Sequence, residues 1–322
     1  MPAFMVYIIF ILLLFGVELV YFRIADYYNI IDHPNERSSH SVVTILGGGI
    51  VFPLAILAYS LQFEFSYIYF TVGLFMISAI SFWDDLYTLS PRIRIFVHLA
   101  AVSLMFLQLG INQYPLIVIL VLYVIIIGII NAYNFMDGIN GITGIYSLVT
   151  IMTLFFLNTK IKFIDPAFLI ITSLSLVVFL FFNLRTRAKC FAGDVGSVSI
   201  AFIVVFCLLS FFLVTKLFIA ILLLAVYGVD SVLTIIIRLS KGENIFTPHR
   251  SHVYQILSNE RGFSHISVTI IYGLIQLVIN TLVIYIIFNN VKPTYTLIIG
   301  ISILSILSIL YLSLKRGFRT SL

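Results

Sequence analysis

The sequence predicts an all-α polytopic membrane protein, on three observations. Charged residues make up 10% of its 322 positions and hydrophobic residues 61%, whereas about 25% of an ordinary soluble domain is charged. Apolar runs close to the roughly 20 residues that cross a bilayer recur along the whole chain. The polar residues between them are gathered into five short strings.

Taken in order, eleven spans are expected, at roughly 3–22, 43–61, 67–83, 93–110, 114–130, 142–158, 164–182, 198–214, 217–237, 266–288 and 294–314. The first has no basic leader and no small-residue cleavage site before Arg23, so it reads as a retained helix. Gly47, Gly48 and Gly49 open the second and suit close helix packing. The longest connections, roughly 23–42, 183–197 and 238–265, are too short for a separate folded unit, so residues 1–322 are expected to form one integral membrane domain. Cys190 falls on a polar loop and Cys207 in a span, which argues against a disulfide between them. No G-x-x-x-x-G-K-[ST] loop or H-E-x-x-H pattern occurs, which removes P-loop hydrolysis and that zinc chemistry. No nucleic-acid partner is expected.

Assigning alternate connections to two sides sorts the 18 basic residues. Lys160, Lys162, Lys216 and Lys292 fall on one side and all the others on the opposite side. The positive-inside rule makes the richer side cytoplasmic, with the N-terminus outside and the C-terminal KRGFRTSL inside. The same alternation puts all five polar strings on the cytoplasmic side. Asp32, Glu36, Asp84, Asp85, Asp137, Asp194 and the six histidines go with them, while the outer connections keep only Glu64 and Asp165 as acids. The expectation is a composite site on the cytoplasmic face.

Each string has a chemical reading and a plainer one. FWDDL (82–86) sets Asp84 beside Asp85, two carboxylates that repel unless a cation or a shared proton lies between them. A divalent metal resolves that, and a solvated helix end is the plain alternative. NAYNFMDGING (131–141) spaces Asn131, Asn134 and Asp137 by three, along one side of a helix, before Gly138 and Gly141 end it. Amide side chains there, Asn140 included, both donate and accept and suit a base or sugar hydroxyls; a polar helix cap is the alternative. FAGDVGS (191–197) holds Asp194 among small residues at a helix start, which suits a metal close to phosphate, or equally a simple cap. PHRSHVYQ (248–255) carries His249, Arg250 and His252, suited to diphosphate binding or proton handling, although a basic cytoplasmic loop alone explains Arg250. In DHPNERSSH (32–40), Arg37 and His40 reach for phosphate, and Asp32 and Glu36 equally form loop ion pairs. Asp230 lies within the ninth span, where it orients a catalytic group or pairs with Arg238.

These five strings, in this order from Asp32 to Gln255, resemble the polyprenyl-phosphate N-acetylhexosamine-1-phosphate transferase family, the MraY/WecA-like glycosyltransferase family 4. The resemblance implies transfer of a sugar-1-phosphate from a UDP-N-acetyl sugar to undecaprenyl phosphate, with Mg²⁺ (Mn²⁺ as the alternative) and release of UMP. It implies a multi-pass protein of the bacterial inner membrane, with a homodimer among its expected partners. By position it makes Asp84, Asp85 and Asp137 catalytic and Asp194 a metal ligand, with Asp84 and Asp85 as further candidates. Asn131, Asn134, Asn140, Arg37, His40, His249, Arg250 and His252 become substrate contacts. The chain departs from the family at Asn140, where an Asp is common, and at VTILGGG in place of PTPRGGG. It departs again at HRSHVYQ, which is neither the HIHH-type run of the WecA-like enzymes nor the triple histidine of MraY and looks more like the O-antigen-initiating branch that takes 6-deoxy sugars such as FucNAc or QuiNAc. A transporter of an anionic substrate is the alternative from another class, although transporters keep ionisable groups near the midplane.

The orientation is testable with fusions. Alkaline phosphatase, active only outside the cytoplasm, is expected to be active when fused after Lys216 and inactive after Lys241. The reverse pattern inverts the assignment.

Overall fold

The computed structural model describes residues 3–32, 43–244 and 250–316. The chain forms α1 (Ala3–Tyr27), a two-residue hairpin pairing of β1 (Ile31–Asp32) with β2 (Thr44–Ile45), α2 (Val51–Gln62), α3 (Ile68–Leu86), α4 (Pro91–Leu109) and α5 (Leu116–Met136). There follow α6 (Ile142–Ile161), α7 (Pro166–Asn183), α8 (Gly193–Thr215), α9 (Ala225–Ser240), the single turn α10 (Val253–Gln255), α11 (His265–Phe288) and α12 (Pro293–Arg316). Among the described residues ten helices are long and apolar enough to cross a membrane, with Phe218–Ser240 as one of them. The all-α membrane architecture is therefore as expected. Cys190 and Cys207 are both free and buried.

The second expected span is shortened. Its helical part is Gly48–Gln62, too short to qualify with the others. The preceding backbone is extended because it is used elsewhere: Phe191 N–H donates to Ile45 O at 2.8 Å, and Gly48 N–H donates to Phe191 O at 2.8 Å. Gly49 N–H then reaches Ala192 O at 3.1 Å. The glycines thus clip residues 45–49 onto the start of α8. A Cβ on Gly49 would lie 2.2 Å from Gly196 Cα, so this crossing exists only while both positions lack side chains.

α8 is the central post, with α2, α3, α5 and α6 packed on it. It is buried over most of its length and apolar on nearly every side, as a helix with little lipid-facing surface is, although Val214 near its end is exposed. α12 is the opposite case, lying on the periphery with Tyr311 its one buried residue among those described. The ninth span starts as a 3-10 turn over Phe218–Leu224, and the carbonyls this frees are met from neighbouring helices. Gln276 Nε2 donates to Leu222 O at 2.8 Å and Thr150 Oγ1 to Leu223 O at 3.3 Å, as backbone at membrane depth requires.

The two ends of the bundle differ in chemistry. At one end Tyr59 hydroxyl donates to Asp165 Oδ2 at 2.7 Å, Lys216 Nζ to Tyr114 hydroxyl at 3.0 Å, and Lys160 Nζ to Phe288 O at 3.3 Å. At the other end lie the tips of α3, α5 and α9 and the starts of α4, α6, α8 and α11, which carry the polar strings.

Gly49→Ala is expected to cost about 1–3 kcal/mol through overpacking, read as a lowered melting temperature in detergent. Gly128→Ala, with nothing within 4 Å of its added Cβ, is the control and should not lower it.

Candidate functional site

Asp84 and Asp85 share the last turn of α3 and, as neighbours on a helix, point different ways. Asp85 faces the start of α8. Its Oδ1 accepts Asp194 N–H at 2.8 Å and its Oδ2 accepts Val195 N–H at 3.0 Å. Ala192, at the cap position of α8, provides no side-chain bond, so a carboxylate from another helix takes up the orphan N–H groups.

Asp84 turns toward α4. Its Oδ1 accepts Leu89 N–H at 2.7 Å, and its Oδ2 meets Arg94 Nη1 at 2.6 Å. Arg94 Nη2 lies 3.4 Å from Asp194 Oδ2. One guanidinium thus joins the two carboxylates. The Asp84 side chain is 8% exposed and that of Asp194 29%, so the open side of the pair is at Asp194. Arg94 entered the sequence reading only as a topology charge. A cation near the start of a helix opposes the helix dipole, and that was the available signal for it.

The evenly spaced triad of α5 is divided by the structure. Asn134 Nδ2 donates to Ser197 Oγ at 3.3 Å, and its amide also interacts with the Asp194 carboxylate. Asn131 Nδ2 bonds back to Ile127 O at 2.8 Å, within its own helix. Asp137 is the first residue beyond α5 and half-buried. Burial pushes its carboxyl up to about 7, the Thr143 hydroxyl opposing this and the Asp194 charge adding to it.

Further polar groups frame the site. Asn140 is buried, with Nδ2 donating to Arg185 O at 2.7 Å and its backbone carbonyl accepting the Thr269 hydroxyl at 2.8 Å. Asn183, which sequence reasoning missed, accepts Gly141 N–H at 2.6 Å and donates to Cys190 O at 2.8 Å. It ties the loop after α5 to the loop before α8. Nothing in the sequence set this asparagine apart from a helix end. Arg250 is half-buried and His252 is buried against Asp230, with His252 Nδ1 3.1 Å from Asp230 Oδ1. Asp230 is thus joined to His252 and not to Arg238, which pairs with Glu243 at 2.9 Å. Arg37, His40 and His249 lie outside the described residues, and Asp32 sits half-buried in β1 at their edge.

Among the described residues, no three His, Cys, Asp or Glu side chains cluster closely enough to hold a metal by themselves. The donor set still fits Mg²⁺, which takes one or two carboxylates and completes its shell with water and substrate phosphates. Asp194, the more open carboxylate, is the one that fits best; both oxygens of Asp85 are engaged by backbone, and those of Asp84 by Leu89 N–H and Arg94. The cavity of ≈ 410 Å³ between α5, α8 and residues 218–221 has a wholly apolar lining, including Ile117, Val121 and Phe212, and does not suit a phosphate.

Residues 67–212 match the family described as Glycosyl transferase family 4. This region contains Asp84, Asp85, Arg94, Asn131, Asn134, Asp137, Asn140 and Asp194, while Asp230 and His252 lie beyond it. The chain is also similar to a "Probable undecaprenyl-phosphate N-acetylglucosaminyl 1-phosphate transferase" of Bacillus subtilis (strain 168), 28% identical over 283 residues. That match covers 78% of this chain and 75% of the relative, so the likeness extends outside the family 4 region.

Asp137 supplies a pH test. Without metal or substrate its carboxyl holds a proton below about 7 and loses it above. Infrared titration is expected to show a protonated-carboxyl band that fades with a midpoint near 7 and is missing in Asp137→Asn. Added Mg²⁺ should move the midpoint down, since a nearby cation favours the ionised form.

Proposed function

We propose that the chain transfers N-acetylhexosamine-1-phosphate from a UDP-sugar to undecaprenyl phosphate, releasing UMP. The carrying observation is the Asp84–Arg94–Asp194 bridge beside Asn134 and Asp137, at the ends of apolar helices. A lipid phosphate and a soluble nucleotide meet at such a boundary. The family 4 region and the printed name of the relative support this reading. Buried donors and carboxylates of this kind act mainly by positioning and charge stabilisation.

In the proposed reaction an oxygen of the lipid phosphate forms a bond to the sugar-bearing phosphorus. The bond from that phosphorus to the bridging oxygen breaks, and its electron pair leaves with UMP. One phosphoanhydride replaces another, so ATP is not needed and the step is close to reversible. The sugar C1–O bond stays intact, so the anomeric configuration is retained. Arg94 binds phosphate charge, Asp84 takes the proton of the lipid phosphate, and Asn134 with Asp137 orients the diphosphate. Mg²⁺ held at Asp194 would neutralise the diphosphate when bound. Asp85 fixes the start of α8 and so the place of Asp194. A direct attack and a two-step route through Asp137 as nucleophile are told apart by trapping: a phospho-sugar caught on Asp137 supports two steps, and activity left in Asp137→Asn excludes them.

The finer assignments belong to the same proposal. The site faces the cytoplasm of a bacterial inner membrane, following the distribution of basic residues. The HRSHVYQ loop favours the O-antigen-initiating branch and a 6-deoxy sugar such as FucNAc or QuiNAc. The transporter alternative has less support, because nearly all the ionisable groups lie at one face and, of the two deeper acids, Glu18 and Asp230, the second is committed to protein donors.

The test is purified protein with undecaprenyl phosphate, Mg²⁺ and a panel of UDP-sugars, reading UMP release. Asp84→Asn and Asp194→Asn are expected to lose at least about tenfold in turnover, about 1.4 kcal/mol, with an unchanged melting temperature. Asp85→Asn is expected to lose activity together with about 0.5–2 kcal/mol of stability, as the loss of a cap does. No UMP release with any UDP-N-acetylhexosamine overturns the reading.

A further inference from the structure

We propose that His252 is a positioning residue: its Nδ1, held by buried Asp230, clasps residues 250–261 onto the bundle and so fixes the end of α5 that carries Asn134 and Asp137. The inference goes beyond the transferase reading and rests on it only for an activity readout.

The clasp is built in the interior. His252 is 1% exposed and Asp230 3%. Asp230 Oδ1 faces His252 Nδ1 at 3.1 Å, Val253 N–H at 3.2 Å and the Thr234 hydroxyl at 3.3 Å, and its Oδ2 accepts the Tyr272 hydroxyl at 2.6 Å. An ionised carboxylate has about four acceptor sites, which these donors fill. The imidazole therefore presents Nδ1–H, and its ring is fixed by helices α9 and α11 together. A loop histidine that served chiefly as a phosphate ligand would have its ring at the open side of the site; this one is turned into the bundle.

Two residues on, the clasp is passed to α5. The Tyr254 hydroxyl donates to Phe135 O at 2.9 Å. That carbonyl is among the last four of α5, which have no partner within the helix. The bond lands between Asn134 and Asp137. Tyr254 also lies over Gly138, where an added Cβ would come within 2.2 Å of its hydroxyl oxygen. Moving residues 252–254 therefore moves the turn that presents Asp137.

The network continues outward. The Thr234 and Tyr311 hydroxyls are 2.7 Å apart, and Lys315 Nζ donates to the Tyr311 hydroxyl at 2.6 Å. An ammonium only donates, so the protons of this row point from Lys315 toward Asp230. Tyr311 is the one described residue of α12 that is buried, and it is spent on this row.

The two amide side chains separate this role from direct chemistry. Asparagine sets its Nδ2 where His252 has Nδ1; glutamine reaches the place of Nε2 instead. His252→Ala and His252→Gln are expected to lose about tenfold or more in UMP release, the scale of one buried hydrogen bond left unmade, and His252→Asn to stay within about threefold of wild type. Hydrogen–deuterium exchange over 250–261 should be faster than wild type in His252→Ala and Asp230→Asn and unchanged in His252→Asn. An Asn variant as inactive as Ala with unchanged exchange overturns the proposal in favour of chemistry at Nε2. Unchanged exchange in His252→Ala overturns it as well. Should the Ala variant not fold, the Asn–Gln pair decides, equal activities counting against the clasp. A wild-type protein that releases no UMP from any UDP-sugar sinks the transferase reading, and the exchange measurement still decides the clasp.

Discussion

The carboxylate of Asp85 accepts the N–H groups of the second and third residues of the helix at the centre of the bundle, and the candidate site depends on that contact. α8 is surrounded by α2, α3, α5 and α6, so its opening amides are poorly placed to turn to water. Left unmet they would each cost about 1–3 kcal/mol. Meeting them from α3 fixes more than the helix start. One of the two amides belongs to Asp194, so the residue with the open carboxylate is located by its own backbone. Asp84, the next residue along α3, is carried to the same place. Two adjacent acids thus divide between holding the frame and pairing with Arg94.

Around that contact the site is made from helix ends, each secured by a different buried polar group. Gly49 and Gly196 let the chain before α2 lie against α8. Asn183 ties the turn at Gly141 to the loop at Cys190, and Tyr254 closes the end of α5. Little of this is apolar packing. In a bilayer the apolar surface of one helix gains little by exchanging lipid for another helix, so polar contacts and close backbone approaches carry more of the specificity.

The membrane class and most spans were legible because hydropathy over about 20 residues reports directly on a helix in lipid. Residues 43–47 were misread as span, since an apolar run of that length does not show that its backbone is committed to residues 190–192. The acidic residues of the site were legible as charges in the wrong solvent. Their division of labour was not, because Asp84 and Asp85 are equivalent in the sequence and differ only in which neighbour the α3 turn offers. Spacing by three suggested one polar face for Asn131, Asn134 and Asp137, yet Asn131 bonds to its own helix and Asp137 lies past the helix end. Arg94 was hidden because topology already explained a basic residue there.

Arg94 has a consequence for the protein between encounters with ligand. Two carboxylates facing each other at a low-dielectric boundary repel, and an empty site would spread or take up a proton. The guanidinium acts as a resident counter-ion that offsets part of their charge. An incoming cation must compete with it, and an incoming phosphate can draw it away from the acids. The three side chains are thereby held in one arrangement, and any charge entering there meets ion pairs already made.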